Sequence, residues 1–385
     1  MARIFNYAMG TEIVYGIGAS KDTGKYAKDL GISRALIVTD PGIEKVGLLE
    51  GILASLKEAG VEVTIFAEVE ENPLDTTIER AYELYAEKGC DGVIGVGGGS
   101  SMDSAKAVAL LATNPGPLMR YEGFAKAENK AGTVICIPTT AGTGSEVTTT
   151  SVITDSKRDQ KTVVSGPQLT ATLALCDPEL TVSLPPFLTA TTGMDALSHA
   201  LECYVNTNTN PISMALAYRA MELIGKNLRA AVANGQNLAA RDGMLMGSLL
   251  AGMAFNVTRL GLAHSAAMPL GSWENKLPHG LANAIMLPRV TEFNLMADYE
   301  RFAEVAKALG EDIEGLPPRE AAFLAVKALD DLVADIGIPA RLGDAGIKRE
   351  NIPAIAEETM KSRNTLVNPR QATLQEVIEL LERSM

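Results

Sequence analysis

The chain is poor in histidine, cysteine and aromatic residues. Its 385 residues hold three His, four Cys and one Trp, and aromatics make up 5%. Cys90, Cys136, Cys176 and Cys203 lie far apart and form no Cys-x-x-Cys pair. That argues against a disulfide scaffold and fits a reducing cytoplasm. Cys136, in an apolar strand-like run, and Cys203, on an expected helix, read as core residues rather than nucleophiles. Basic charge is also short: 34 Lys and Arg face 47 Asp and Glu, a net charge of −13. That balance disfavours nucleic acid, which needs a basic footprint, and an anionic membrane surface. Residues 1–7 lack a secretory apolar region, and no apolar run approaches the roughly 20 residues of a membrane span. The charge balance says nothing against a small anionic substrate met by a local Arg or Lys.

Hydrophobic residues are 46% and charged ones 21%, enough for large cores built on Ala, Val, Leu, Ile and Met. The length exceeds the usual single-domain size, so two domains are expected. Short apolar runs at 34–39 (RALIVT), 61–66 (VEVTIF), 92–96 (GVIGV) and 133–137 (TVICI) alternate with helical stretches at 43–59, 76–88 and 101–112. Strands alternating with helices predict a parallel sheet covered on both faces. Residues 12–16 (EIVYG) read as an extra strand, placed in a hairpin, and 155–160 (DSKRDQ) as a turn between strands. After Leu184-Pro185-Pro186 the period becomes 3.6, as in 211–231, 239–255 and 298–308. The expected fold is an α/β N-terminal dinucleotide-binding domain, residues 1–184, followed by an all-α domain, residues 185–385.

The dinucleotide reading comes from residues 96–106 (VGGGSSMDSAK). An apolar strand runs into Gly97, Gly98 and Gly99 and then into a helix opened by Ser100 and Ser101. Glycines allow close backbone approach, and a helix N-terminus offers free N–H groups and partial positive charge to a pyrophosphate. Ser100 with Asp103 also has the spacing of a capping box. The spacing is not the G-x-G-x-x-G of a plain Rossmann turn. Asp40 ends the strand at 34–39 and fits two readings equally: a ribose 2′-OH acceptor that selects NAD, or a helix N-cap. Residues 138–146 (PTTAGTGSE) put a second small, hydroxyl-rich loop after a strand, where open α/β sheets bind ligands.

The three histidines are His199, His264 and His279. Asp195 and His199 are four apart and share a helix face. Singly, each residue fits an ordinary helical pair, a core histidine or a turn. Jointly, one carboxylate and three imidazoles suit a divalent transition metal.

With these residues placed, the chain resembles the iron-containing (group III) alcohol dehydrogenase family over nearly its whole length. The resemblance is carried by 97–106, 138–146, 152–155 (VITD), Asp177-Pro178 with Leu184-Pro185-Pro186, 192–202 (TGMDALSHALE), 260–264 with Pro278-His279-Gly280, and Asn368-Pro369-Arg370. It implies the architecture shared with dehydroquinate synthase, NAD(H) as cofactor and Fe²⁺, or alternatively Zn²⁺, as the metal. It implies metal ligation by Asp195, His199, His264 and His279. It assigns the pyrophosphate loop to Gly97, Gly98, Gly99, Ser100 and Ser101, and nicotinamide-side contacts to Thr139, Thr140, Thr148 and Lys161. Asp40 and Asn72 fall on its adenosine-ribose positions, which implies NAD over NADP. A homodimer or larger homo-oligomer is implied as well.

The expected reaction is hydride transfer between a short primary alcohol or aldehyde, of lactaldehyde/propanediol or butanol type, and NAD(H). Three departures from the family pattern stand out. Met268 occupies the place of a relay histidine, and a thioether cannot shuttle a proton, so either water and ribose hydroxyls carry it or the enzyme favours a different pH range. Arg259 is a strongly basic residue close to His264 in sequence, in a run that begins at Phe255, and Thr149-Thr150 replace residues that flank the nicotinamide in relatives. Arg259, with Thr150 and Phe255, either holds an acid-bearing aldehyde (sulfonate, phosphonate or carboxylate) or faces solvent or an acidic side chain. Lyase chemistry of the dehydroquinate synthase kind would need more cationic side chains than three histidines supply.

Overall fold

The computed structural model describes residues 4–272 and 277–385; Met1–Arg3, the start of the segment read for a leader, lie outside. The chain divides into two compact units. One takes Met9–Thr140 with Gly144–Ser183, the other Met1–Ala8, Ala141–Thr143 and Leu184–Met385. The single cut expected at 184/185 therefore misses two short segments. Both lack a periodic pattern of their own, so only tertiary contacts assign them.

The first unit is a parallel sheet. Its strands are β1 (Glu12–Tyr15), β2 (Arg34–Val38), β3 (Glu62–Phe66), β4 (Gly92–Gly97), β6 (Val134–Pro138) and β9 (Leu173–Cys176), in the order β1-β9-β6-β4-β2-β3. Side chains alternate across it as the period of two requires. Ile37, Ile94, Ile135, Ile137 and Leu173 pack on one face with Ile52 and Leu56. Leu36, Val38, Val93, Val134 and Cys136 pack on the other with Ile78, Met102 and Leu110. The covering helices are α1 (Thr23–Asp29), α2 (Pro41–Lys45), α3 (Glu50–Glu58), α4 (Asp75–Glu87) and α5 (Gly99–Thr113).

A smaller sheet holds β5 (Gly123–Phe124), β8 (Gln160–Ser165) and β7 (Thr150–Asp155). The turn read at 155–160 joins β7 to antiparallel β8, and Asp155 Oδ1 accepts from the backbone of Lys157 and Arg158 to close it. Two expectations need correction. β1 is no hairpin strand: it pairs in parallel with β9, far along the chain, because the backbone enters a 3₁₀ turn and α1 instead of doubling back. The helix expected over 43–59 is two helices, since Gly47 in the left-handed region (φ 73°) ends the first.

The second unit is helical: α6 (Pro186–Val205), α7 (Pro211–Ala233), α8 (Leu238–Phe255), α9 (Leu262–Leu270), α10 (His279–Asn294), α11 (Tyr299–Ala308), α12 (Pro318–Asp335), α13 (Ile352–Lys361) and α14 (Leu374–Arg383). Pro186 opens α6 at a position where a missing N–H costs nothing. From Thr189 to Val205 nearly every side chain of α6 is buried, because α7, α8 and α10 pack around it. The site grows from this helix. Among the described residues no helix is long and apolar enough to cross a membrane.

Candidate active site

The sheet unit gathers its candidate residues at the C-terminal ends of β2, β4 and β6. Gly97 closes β4 with φ 146°. A Cβ there would lie 2.6 Å from Ser101 Oγ and 3.1 Å from Asp40 Oδ2, so the turn requires glycine. Gly98 is the N-cap of α5 and gives it no side-chain cap, which leaves the first N–H groups of a 15-residue helix free to meet an anion. Of its two readings, Asp40 shows the helix N-cap, at the start of α2. Its Oδ1 caps α2 through Gly42 and Ile43, while Oδ2 turns to Ser101 Oγ at 3.2 Å, at the start of α5. Ser100 Oγ donates to the Glu71 carbonyl, which brings the segment of Asn72 to the same helix start. Thr139 N donates to the Gly97 carbonyl. Thr140 Oγ1 is buried with no hydrogen-bond partner among the described residues. It lies 3.6 Å from where a Cβ on Gly98 would stand.

The capping box read at Ser100 and Asp103 does not form. Asp103 points into the core, 2.9 Å from Lys106 Nζ, and accepts from Ser145 Oγ and from Val152 N. These core partners, not the free N–H groups of α5, take up its oxygens. Lys106 is fully buried and donates to the carbonyls of Ser145 and Thr150, so α5 holds the loop that carries Thr148, Thr149 and Thr150. Lys161 lies on β8, opposite Thr154 in the smaller sheet.

In the helical unit, Asp195, His199 and His264 bring one ligand atom each to within 4.8 Å of one another, all buried. Asp195 and His199 are one turn apart on α6, and His264 comes from the first turn of α9. His264 Nε2 is 3.6 Å from Asp195 Oδ1, and His279 Nε2, at the first residue of α10, is 3.7 Å from the same oxygen. The His264 ring lies 4.5 Å from that of His199 and 5.4 Å from that of His279. Two ligand atoms about 2.1 Å from one ion stand about 3.4 Å apart at a tetrahedral angle. The two distances to Asp195 Oδ1 come close to that edge, and His264 Nε2 is buried without a hydrogen-bond partner among the described residues. The donor set of imidazole nitrogens and a carboxylate suits Fe²⁺ or Zn²⁺.

The surroundings of these groups tune them. Burial pushes His199 down to about 4 against the pull of Asp195, so it is neutral and able to ligate at pH 7. Its Nδ1 faces the Gly142 carbonyl at 3.3 Å, and Phe255 stacks on the ring at 4.4 Å. Burial opposes the charge of His264 too, but Asp195 and Glu202 outweigh it and raise the ring to about 9. Burial also opposes the charge of Asp195, but the three histidines hold its carboxyl well below the usual range. Two residues escaped the sequence reading. Glu202 bonds His264 Nδ1 at 2.6 Å. Asn283 Nδ2 donates to Asp195 Oδ1 at 2.8 Å and sits 3.2 Å from His279 Nε2. Glu202 could have been suspected, since it continues the Asp195–His199 face by one turn; Asn283, four after His279, carried the same spacing signal. Met268, one turn beyond His264 on α9, is half-buried. Cys136 and Cys203 are buried thiols pushed up to about 12 by desolvation, which bears out their reading as core.

Family models match both parts: iron-containing alcohol dehydrogenase over residues 10–178, and the C-terminal region of the Fe-containing alcohol dehydrogenase family over 189–385. The chain belongs to the iron-containing alcohol dehydrogenase family. It is 41% identical over 380 residues to the NAD-dependent methanol dehydrogenase of Bacillus methanolicus, covering 99% of this chain and 100% of that one. It is 39% identical over 374 residues to the sulfoacetaldehyde reductase of Bilophila wadsworthia (strain 3_1_6), covering 96% of each. The crystal structure of a 1,3-propanediol oxidoreductase superposes with a TM-score of 0.97 at 41% identity, covering 100% of both chains. The protein is thus an NAD(H)-linked, metal-dependent oxidoreductase of the alcohol dehydrogenase class, and the expected fold and cofactors hold.

Proposed function

We propose that this dehydrogenase interconverts a short primary alcohol and its aldehyde, of the propanediol or butanol type, with Asp195, His199, His264 and His279 as its metal ligands. The observation that carries the reading is the convergence of Asp195, His199 and His264 within 4.8 Å. A divalent cation held there supplies Lewis acidity to a carbonyl oxygen, and NAD(H) carries the hydride. The residues set the conditions. With a divalent cation in place of the His264 Nε2 proton, three neutral imidazoles and one carboxylate would leave a net charge of +1, which favours an oxyanion. Asn283 holds the Asp195 carboxylate in place. Phe255 covers the face of His199 and keeps water from it. Met268 offers no proton, so the alcohol proton leaves by a route without a side chain at that position.

A second reading, an acid-bearing aldehyde as substrate, is favoured by Arg259. Its exposure is what the solvent-facing alternative expects; what supports the substrate reading is that its carbonyl is gripped by Asn206 Nδ2 and no ion pair joins its guanidinium to a described residue. The sulfoacetaldehyde reductase relative acts on such a compound by its name. NADH oxidation with a panel of neutral and acid-bearing short aldehydes, with and without added Fe²⁺ or Zn²⁺, tests both. Metal-dependent turnover of neutral aldehydes supports the first; no turnover of any aldehyde with either metal sinks both. Arg259→Ala is expected to raise KM about tenfold or more for acid-bearing aldehydes alone, the loss of one charge-assisted pair. Equal loss on neutral ones removes the second reading. A homo-oligomer in solution and a cytoplasmic location belong to the same proposal, and light scattering of the purified chain checks the first.

A further inference from the structure

We propose that Glu202 is a positioning residue for the metal ligand His264: it fixes the ring proton on Nδ1 and so presents the Nε2 lone pair to the cation. This rests on the reading of His264 as a ligand. Glu202 lies seven residues after Asp195 and three after His199 on α6, so the helix that carries two candidate ligands also carries the orienter of a third. Its carboxylate is buried and meets only donors. Oε1 accepts from Ala263 N at 2.6 Å, and Oε2 from Gly261 N at 3.0 Å and His264 N at 3.4 Å. The fourth contact, Oε2 to His264 Nδ1 at 2.6 Å, is therefore also to a donor. With Nδ1 protonated, Nε2 is left facing Asp195 Oδ1 at 3.6 Å. A ligating imidazole whose other nitrogen donates to a carboxylate is held in one tautomer and made more basic.

The contact is built into the backbone. A Cβ on Gly261 would lie 2.8 Å from Glu202 Oε1 and 3.1 Å from Asn368 Oδ1. Glycine lets both side chains reach the start of α9. Asn368 accepts there from Leu262 N at 3.2 Å and bonds Asn294, without a hydrogen bond to the imidazole. Asn368 thus supports the same helix start and separates support of the helix from control of the ring.

The test is the dissociation constant for Zn²⁺, by chelator competition, in the full chain and in Glu202→Gln, His264→Ala, their double variant and Asn368→Ala. Glu202→Gln is expected to weaken Zn²⁺ by about 10–100-fold in the wild-type background and by less than about threefold in the His264→Ala background, the signature of two residues acting as one unit. Asn368→Ala is expected to lower the melting temperature with less than about threefold change in Zn²⁺ affinity. Wild-type affinity in Glu202→Gln overturns the inference. So does an equal loss in both backgrounds, or a loss in Asn368→Ala as large as that in Glu202→Gln, since either assigns the effect to the helix start. Should Glu202→Gln not fold, ¹⁵N NMR of the zinc-loaded wild type decides. The chain has three histidines, and the His264 ring is identified by its loss in His264→Ala. A protonated Nδ1 supports the inference and an unprotonated one overturns it. If the wild type itself binds no Zn²⁺ or Fe²⁺, the ligand reading fails first and takes the inference with it.

Discussion

Glu146 ends the hydroxyl-rich loop of the sheet unit and is wholly buried, with Oε1 lacking a partner among the described residues. Desolvation raises its carboxyl from 4.5 to about 7, against the pull of Lys106. The folded state therefore binds this proton more tightly than the unfolded chain. Its contribution is fully present below about pH 4.5 and is lost as pH rises through about 7, a change of about 3 kcal/mol. Glu146→Gln keeps the shape and removes the titration. The melting temperature of the variant is expected to gain on that of the wild type between about pH 5 and pH 8. A constant difference across that range would show that Glu146 does not titrate there. None of this was legible in the motif, because burial belongs to the fold. The candidate metal ligands were easier. Asp195 and His199 share a face by their spacing on one helix and Glu202 continues it, whereas the bond of Glu202 to His264 joins α6 to α9 and is set by the fold.

Elements place the candidate ligands as much as side chains do. The strand-helix alternation, the turn at 155–160 and the long helices after Pro186 were all readable, since each rests on a period or on turn chemistry that a single segment carries. The parallel partner of β1 and the break at Gly47 were not, since one depends on a distant strand and the other on a single left-handed residue. The approach of α10 to α6 is of the same kind. A Cβ on Gly280 would lie 2.3 Å from the Thr191 carbonyl oxygen and 3.5 Å from Asp195 Cβ. Backbone, not a movable side chain, is in the way. Gly280→Ala must push α10 from α6 and carry His279 from Asp195. The expected cost is about 1–3 kcal/mol, read as a lower melting temperature, together with weaker Zn²⁺ binding in the same titration. Unchanged stability and affinity together would mean that the two helices pack more loosely than these contacts show.

At the scale of the molecule, one chain builds two units, each with buried apolar side chains and candidate ligand residues of its own. The composition shift near 184 suggested a single boundary. It could not show that 141–143, inside a motif of the sheet half, groups with the helices. That grouping matters chemically, because the Gly142 carbonyl meets His199 Nδ1. The division also makes a prediction. A ligand stabilises the structure it binds by RT ln(1 + [L]/Kd), about 2.7 kcal/mol at a hundredfold excess over Kd, and the gain is read in the amides that exchange by opening of that structure. Zn²⁺ binds between side chains of α6, α9 and α10 in the proposed reading. Hydrogen exchange with Zn²⁺ should therefore slow most in those helices, by up to about a hundredfold. With NADH it should slow most at the start of α5 and across 139–150. If Zn²⁺ protected β2, β4 and β6 more than α6 and α9, the cation would be bound by the sheet unit, and the assignment of Asp195, His199 and His264 as its ligands would fall.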